Sequence, residues 1–289
     1  MQKEIDTTVD SLIKEANTKS TTFDKLKVFH DYLVLNSTFE KSDEAGNYNQ
    51  TIYNAFSGGT SKQGNIQCAG YAKAMQYLCD KAGIDCMVIT GTNEKGTSHA
   101  WDKVKVEGEW YNIDATWDDP ILSLLSQTTS AAGEHQCRSE QNADKCADLV
   151  FIHKNYSPSR FLRHDYFLVS DEEINGISHF PDTEYLPDAA CTDKGNNYFI
   201  SSGLYFDSYT DGLEGLSESI KKAARNGSGE AEIRFENEAA FSEVCSYLYD
   251  QQGLKEIIEE LNANDGLKIS SAHHIENSSL YVIHISLIF

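Results

Sequence analysis

Apolar residues recur at helical spacing from the start of the chain: Ile5, Val9, Leu12, Ile13 and Ala16 fall on one face and predict an amphipathic helix. Leu26, Phe29, Leu33 and Val34 predict a second helix, with Thr21, Thr22 or Asp24 available to cap it. A turn-rich stretch over 54–65, carrying Gly58, Gly59 and Gly64, leads to Cys68. From there Ala72, Met75, Leu78 and Cys79 mark the inner face of a helix over 68–81, and Gly83 is its stop. Residues 86–90 form an apolar run expected to be a short buried strand. Two strands over 99–106 and 109–116 are joined by a tight turn at Glu107-Gly108. Residues 123–149 are polar and read as an inserted loop. Order returns with a strand over 166–169 and a capping-type helix start, Ser170-Asp171-Glu172-Glu173.

Residues 181–195, with Pro181 and Pro187, read as a linker. The pattern then changes to strands over 198–205, 230–235, 267–274 and 281–289, with helices over 212–225 and 238–262. The expected organisation is therefore α+β in two domains: 1–185, in which a Cys-bearing helix packs on an antiparallel sheet, and 186–289, a smaller α+β unit with a ferredoxin-like order. No internal repeat is visible.

Composition narrows the function classes. The chain has 289 residues, 40% apolar and 11% aromatic, enough to build a real core. Its 45 acidic and 24 basic residues give a net charge of −21. That balance argues against sequence-independent nucleic-acid binding, which needs clustered Lys and Arg, and against an anionic membrane surface. No run approaches the roughly 18 apolar residues of a membrane span. The first residues lack the apolar region of a signal peptide.

Of seven cysteines, none forms a C-x-x-C pair or a Cys/His cluster at metal spacing, so no metal or cofactor is expected. Cys79 and Cys86 read as buried thiols. Cys137 and Cys146 bracket a polar loop, where a small disulfide would require an oxidising compartment. His30 is expected at a core edge, and His273-His274 on a strand surface. Trp101, Trp110 and Trp117 read as core residues.

Cys68, His99 and Asp114 stand apart. With the hairpin turn at Glu107-Gly108, Val106 faces Glu109 and His99 comes opposite Thr116. Asp114, two residues before Thr116, then shares the face of His99 at the diagonal position, roughly 7–8 Å away. An Asp at 113 or 115 would point to the other face. Cys68 opens a helix, where unpaired backbone amides and the helix dipole stabilise a thiolate and can serve a developing oxyanion. A thiol, an imidazole and a carboxylate together suffice for nucleophilic attack on an acyl carbon. Tyr53 is a weak candidate for a second oxyanion donor.

At these residues the chain resembles the transglutaminase-like superfamily, in its bacterial branch of papain-like thiol enzymes. The likeness runs through Cys68-Ala69-Gly70-Tyr71-Ala72, the segment 83–91, Ser98-His99-Ala100-Trp101, and the segment from Trp110 through Asp114 to Pro120. It is close over residues 20–122, looser over 166–174, and does not reach the last hundred residues. Ile66-Gln67 stands where the family often has Gly-Val. The resemblance implies a papain/transglutaminase-like core with Cys68 as nucleophile, His99 as general base and acid, and Asp114 as its orienting group. The zinc-binding cysteines of the glycanase relatives are missing, and no calcium loop of the animal cross-linking enzymes is recognised.

The reaction expected is acyl transfer on a protein or peptide amide through a thioester, resolved by water in a peptidase or amidase. Resolution by a lysine amine would make the chain a cross-linking glutamyltransferase, and a non-catalytic surface interaction module is the third reading. Relatives of this branch are commonly secreted or surface proteins, so an extracellular or cell-surface place is expected.

Overall fold

In the computed structural model, which describes residues 2–39, 48–57, 64–119, 162–182, 189–250 and 252–289, the two amphipathic stretches form α1 (Gln2–Ala16) and α2 (Thr22–Asn36). Thr21 is the residue that caps α2, its hydroxyl accepting the Asp24 amide at 3.0 Å. β1 (Ser37–Phe39) pairs in parallel with β2 (Gly64–Ile66), and α3 (Ile52–Phe56) lies between them in sequence. α4 (Cys68–Ala82) ends at Gly83, whose φ of 69° is the left-handed conformation a glycine adopts without strain. The insertion 123–149, with Cys137 and Cys146, lies outside the described residues.

The chain separates into two units, one built from residues 2–119 and 166–197, the other from 162–165 and 198–289. The first unit carries an antiparallel sheet of five strands: β3 (Cys86–Asn93), β4 (Ser98–Val106), β5 (Glu109–Ile113), β6 (Phe167–Val169) and β7 (His179–Pro181). Their order is β6-β5-β4-β3-β7. α5 (Asp171–Ile174) starts with the expected capping box, Glu173 reaching back to the Ser170 amide at 2.6 Å. α4 packs on β3 and β4, and α1, α2 and α3 pack on α4. Leu26, Phe29, Leu33, Tyr71, Met75, Leu78, Trp101 and Tyr111 fill the interior between them.

The described residues of the segment read as a linker, 181–182 and 189–195, belong to this unit. β7 pairs with β3, and Cys191 is buried, its amide held by the Asp171 carboxylate at 2.9 Å. Lys103 reaches Asp171 at 3.1 Å and the Ala189 carbonyl at 2.9 Å, so buried polar contacts tie down residues 189–191.

The second unit contains α6 (Tyr198–Ser201), β8 (Tyr205–Phe206), α7 (Tyr209–Asn226), β9 (Glu230–Phe235), α8 (Glu238–Asp250), α9 (Gly253–Asp265), β10 (Ser271–Asn277) and β11 (Val282–Ile288). The α+β class holds, but the order β10-β11-β9-β8, with β8 parallel to β9, is not ferredoxin-like. A ferredoxin-like chain runs β-α-β-β-α-β; here two helices follow β9 and the last two strands form a hairpin. The aromatic stretch expected as a strand makes one helical turn, stopped at Gly203 (φ 70°). The long helix expected over 238–262 is broken at Gln252, which adopts φ 57°. Buried His284 meets Asp165 at 2.6 Å and His164 meets Glu232 at 2.6 Å within this unit. No helix among the described residues is long and apolar enough to cross a membrane.

Candidate active site

The structure brings Cys68, His99 and Asp114 together. The hairpin pairs as the spacing requires, from Val106↔Glu109 to Asp102↔Ile113, with Glu107 (φ 52°) and Gly108 (φ 97°) in the turn. Beyond Ile113 the ladder stops. The pairing of β5 with β6 shifts between Asn112 and Ile113, where Leu168 (φ 60°) sits in a bulge, and the Asp114 amide goes to the Tyr166 carbonyl at 3.1 Å. Bulges re-aim side chains beside active sites. Here the carboxylate of Asp114 turns to His99, with Oδ2 2.6 Å from Nε2. Its Oδ1 accepts the amides of Thr116 (2.9 Å) and Trp117 (3.3 Å).

Asp114 is buried, and burial disfavours its charge, yet His99 and His179 together hold its carboxyl well below the usual range. An ionised carboxylate only accepts hydrogen bonds, so Nε2 of His99 carries the proton and Nδ1 is left for the thiol. The Cys68 side chain hydrogen-bonds this same imidazole. Burial lowers the His99 imidazole, but Asp114 and then Cys68 outweigh it, and the net position is pushed up to about 10.

Two acidic residues after Asp114 fix the segment. Asp118 accepts the Tyr166 amide at 3.0 Å and meets His30 Nε2 at 2.9 Å. Asp119 takes the Tyr71 hydroxyl at 2.6 Å and the Phe39 amide at 2.9 Å. Their bonds tie the loop that carries Asp114 to α2, α4, β1 and the residue before β6. His30, expected at a core edge, is fully buried as part of this net.

Cys68 is half-buried at the first turn of α4. The Asn49 carbonyl accepts the amide of Gln67, the residue before it, at 2.7 Å, and passes so close to Gly70 that a Cβ there would lie 2.6 Å from that oxygen. In an open helix, Gly→Ala gains about 1 kcal/mol. Here the obstacle is backbone, and overpacking costs roughly 1–3 kcal/mol. Gly70→Ala should therefore lower Tm by several degrees and slow alkylation of Cys68; an unchanged or raised Tm in calorimetry would show that the Asn49 loop yields freely.

Trp101 is buried as expected, with its indole N–H on Asn112 Oδ1 at 3.1 Å, and its ring stacks on His99 at 5.9 Å. Trp117 lies 5.9 Å from His99, ring to ring. Trp110 is half-buried with Lys105 over its ring, and Tyr53 packs edge-on against Tyr48. Cys79 is buried, whereas Cys86 is half-buried against Asp102 at 3.7 Å. His273 and His274 lie half-buried on β10.

Sequence reasoning missed His179. Its Nε2 is 2.9 Å from Asp114 Oδ2, the oxygen that His99 also uses. The signal was thin: a lone His two residues before the segment read as a linker. His99, Asp114 and His179 bring donor atoms within 4.8 Å, as do Asp165, Glu232 and His284 in the second unit. In the first group both imidazoles already spend Nε2 on the Asp114 carboxylate, so the set is closed by its own hydrogen bonds.

The His99–Asp114 pair makes a pH prediction. The raised imidazole contributes stability that is complete below its unfolded value near 6.5 and fades as pH rises through about 10. The depressed carboxyl contributes stability that is present above about 3.9 and is lost in acid. The unfolding free energy should therefore fall between pH 7 and 10 by on the order of a few kcal/mol, lowering Tm, and this slope should flatten in His99→Gln. An equal slope in the variant would place the titration elsewhere.

Residues 8–115 match the family model of the transglutaminase-like superfamily. The human kyphoscoliosis peptidase is 31% identical over 153 residues, which is 48% of this chain, and the mouse protein of that name is 27% identical over 128 residues, or 40%. The chain spans 19% of the human relative's length and 15% of the mouse one's. Among solved structures, a TGase aligns at TM-score 0.33 and 22% identity, covering 38% of this chain and 31% of that one. A chain from Cytophaga hutchinsonii, provisionally called a cysteine protease, aligns at 0.30 and 18%, covering 37% of each. Over residues 8–115, this chain is therefore similar to the core of the transglutaminase-like superfamily.

Proposed function

We propose that the protein is a cysteine-nucleophile acyl-transfer enzyme that hydrolyses peptide or protein amides through a thioester, with Cys68, His99 and Asp114 as its triad. The observation that carries this is one imidazole between two groups: Asp114 Oδ2 lies 2.6 Å from Nε2, and the Cys68 thiol is hydrogen-bonded to the same ring. With the imidazole raised, Nδ1 of His99 already holds the Cys68 proton, the thiolate attacks the carbonyl carbon, and the Cys68 amide faces the oxyanion. The C–N bond breaks as His99 returns that proton to the leaving amine. Nδ1 then draws a proton from water, the hydroxide adds to the thioester, and the acid departs with Cys68 restored as thiolate. Water needs no second substrate site, and the word peptidase in the mammalian relatives' name supports hydrolysis over cross-linking. The resemblance to secreted bacterial proteins supports an extracellular or surface place.

Mild iodoacetamide near pH 6 tests the thiol. Among the five described cysteines, Cys79, Cys191 and Cys245 are buried, and the Cys79 contact together with burial pushes the Cys86 thiol up. Cys68 should be alkylated first, and His99→Ala should slow it. An unlabelled Cys68 in folded protein would favour the interaction-module reading. Incubation with an unfolded protein and a fluorescent primary amine decides the acceptor: new N-termini or deamidated side chains are expected, and amine incorporation in their place would make the chain a cross-linker.

A further inference from the structure

We infer that His179 is a positioning residue of this site, holding the Asp114 carboxylate so that it can orient His99. The inference rests on the thiol-enzyme reading above. His179 stands on β7, fully buried, among the rings of Trp101 (4.9 Å), Trp117 (5.3 Å) and Tyr166 (5.5 Å). In such a cage a Phe would pack at no cost in desolvation, whereas a His must satisfy two nitrogens. Both are satisfied: Nδ1 meets the Ser178 hydroxyl at 2.8 Å and Nε2 meets Asp114 Oδ2 at 2.9 Å.

A carboxylate offers about four lone-pair sites. Thr116 and Trp117 fill those of Oδ1, while His99 and His179 fill those of Oδ2. With four donors converging, Asp114 cannot rotate about its terminal bond without losing two of them. His179 also shares the charge that would otherwise fall on the His99 N–H alone. Without it Asp114 loses a donor, pulls harder on that proton and turns more freely. The other titratable groups near this carboxylate are Cys68 on α4, Tyr71 on α4 with Asp119 beside it, Asp102 on β4, and Tyr166 before β6. None of them donates to Oδ2 in the described contacts.

The test uses the full chain with iodoacetamide as the probe and the pH profile of Cys68 alkylation as the readout. His179→Phe fills the cage without an N–H, and His179→Gln restores an N–H donor. His179→Phe should shift the alkaline step of the profile upward, and with a peptide substrate lower kcat roughly 10- to 100-fold at unchanged KM; His179→Gln should recover most of both. A wild-type profile in folded His179→Phe overturns the inference while leaving the triad intact. If alkylation of wild-type Cys68 does not depend on His99, the enzyme reading itself fails, and the inference with it. Should both variants misfold, long-range 1H–15N correlations on the wild type decide: protons on Nε2 of both His99 and His179 are expected, and a bare Nε2 on His179 overturns the assignment.

Discussion

Asp114→Asn should leave a folded protein whose kcat is lower by roughly three to four powers of ten, as a wrong imidazole tautomer produces. The cause is the convergence of donors. An Asn oxygen can stay with the Thr116 and Trp117 amides, but its NH2 then faces Nε2 of both His99 and His179. To accept from it, His99 must move its proton to Nδ1, the nitrogen that has to take the proton of Cys68. The base is then blocked at the atom where it acts. Single-turnover measurement of acyl-enzyme formation checks this, together with circular dichroism for the fold. A loss smaller than about tenfold in folded protein would reduce Asp114 to a structural residue.

Cys68→Ala should remove the covalent route altogether, leaving only what the oxyanion site and substrate binding supply, a loss of roughly five to six powers of ten. Stability should change by no more than about 0.5 kcal/mol, since Cys68 is half-buried and Ala suits a helix start. Weighing the acyl-enzyme by mass spectrometry, before and after hydroxylamine cleaves its thioester, separates the cases: in the variant, adduct and turnover should both vanish. Turnover that survives Cys68→Ala would assign the chemistry to another group.

The local parts of the site were legible in the sequence because they obey short-range rules. Gly83 closes the helix that Cys68 opens, and the tight turn at Glu107-Gly108 places His99 and Asp114 on one side of a hairpin. The expected strand over 109–116 ends early, at Ile113, because the bulge at Leu168 hands the Asp114 amide to Tyr166. That partner comes from far along the chain, where no periodicity reports it. His179 was hidden for the same reason: it is 65 residues from Asp114, and only the pairing of β7 with β3 delivers it. In the second unit, aromatic β-formers at Tyr198 and Phe199 suggested a strand, but packing favoured a helical turn. Gln252 in the left-handed region, followed by Gly253, splits what apolar spacing alone made one helix.

β7 joins the sheet through three residues, at the outer side of β3, and Pro181 has no N–H to extend the ladder. The contact is close, since a Cβ on Gly91 would lie 2.3 Å from the Phe180 carbonyl, but it is short. Short rim elements open at a fraction of the free energy needed to unfold a domain. Each such opening withdraws an imidazole from Asp114 while the helix carrying Cys68 and the central hairpin stay in place. Reactivity and fold should therefore have different melting points. In rising urea the pH profile of Cys68 alkylation should change before the helical signal is lost.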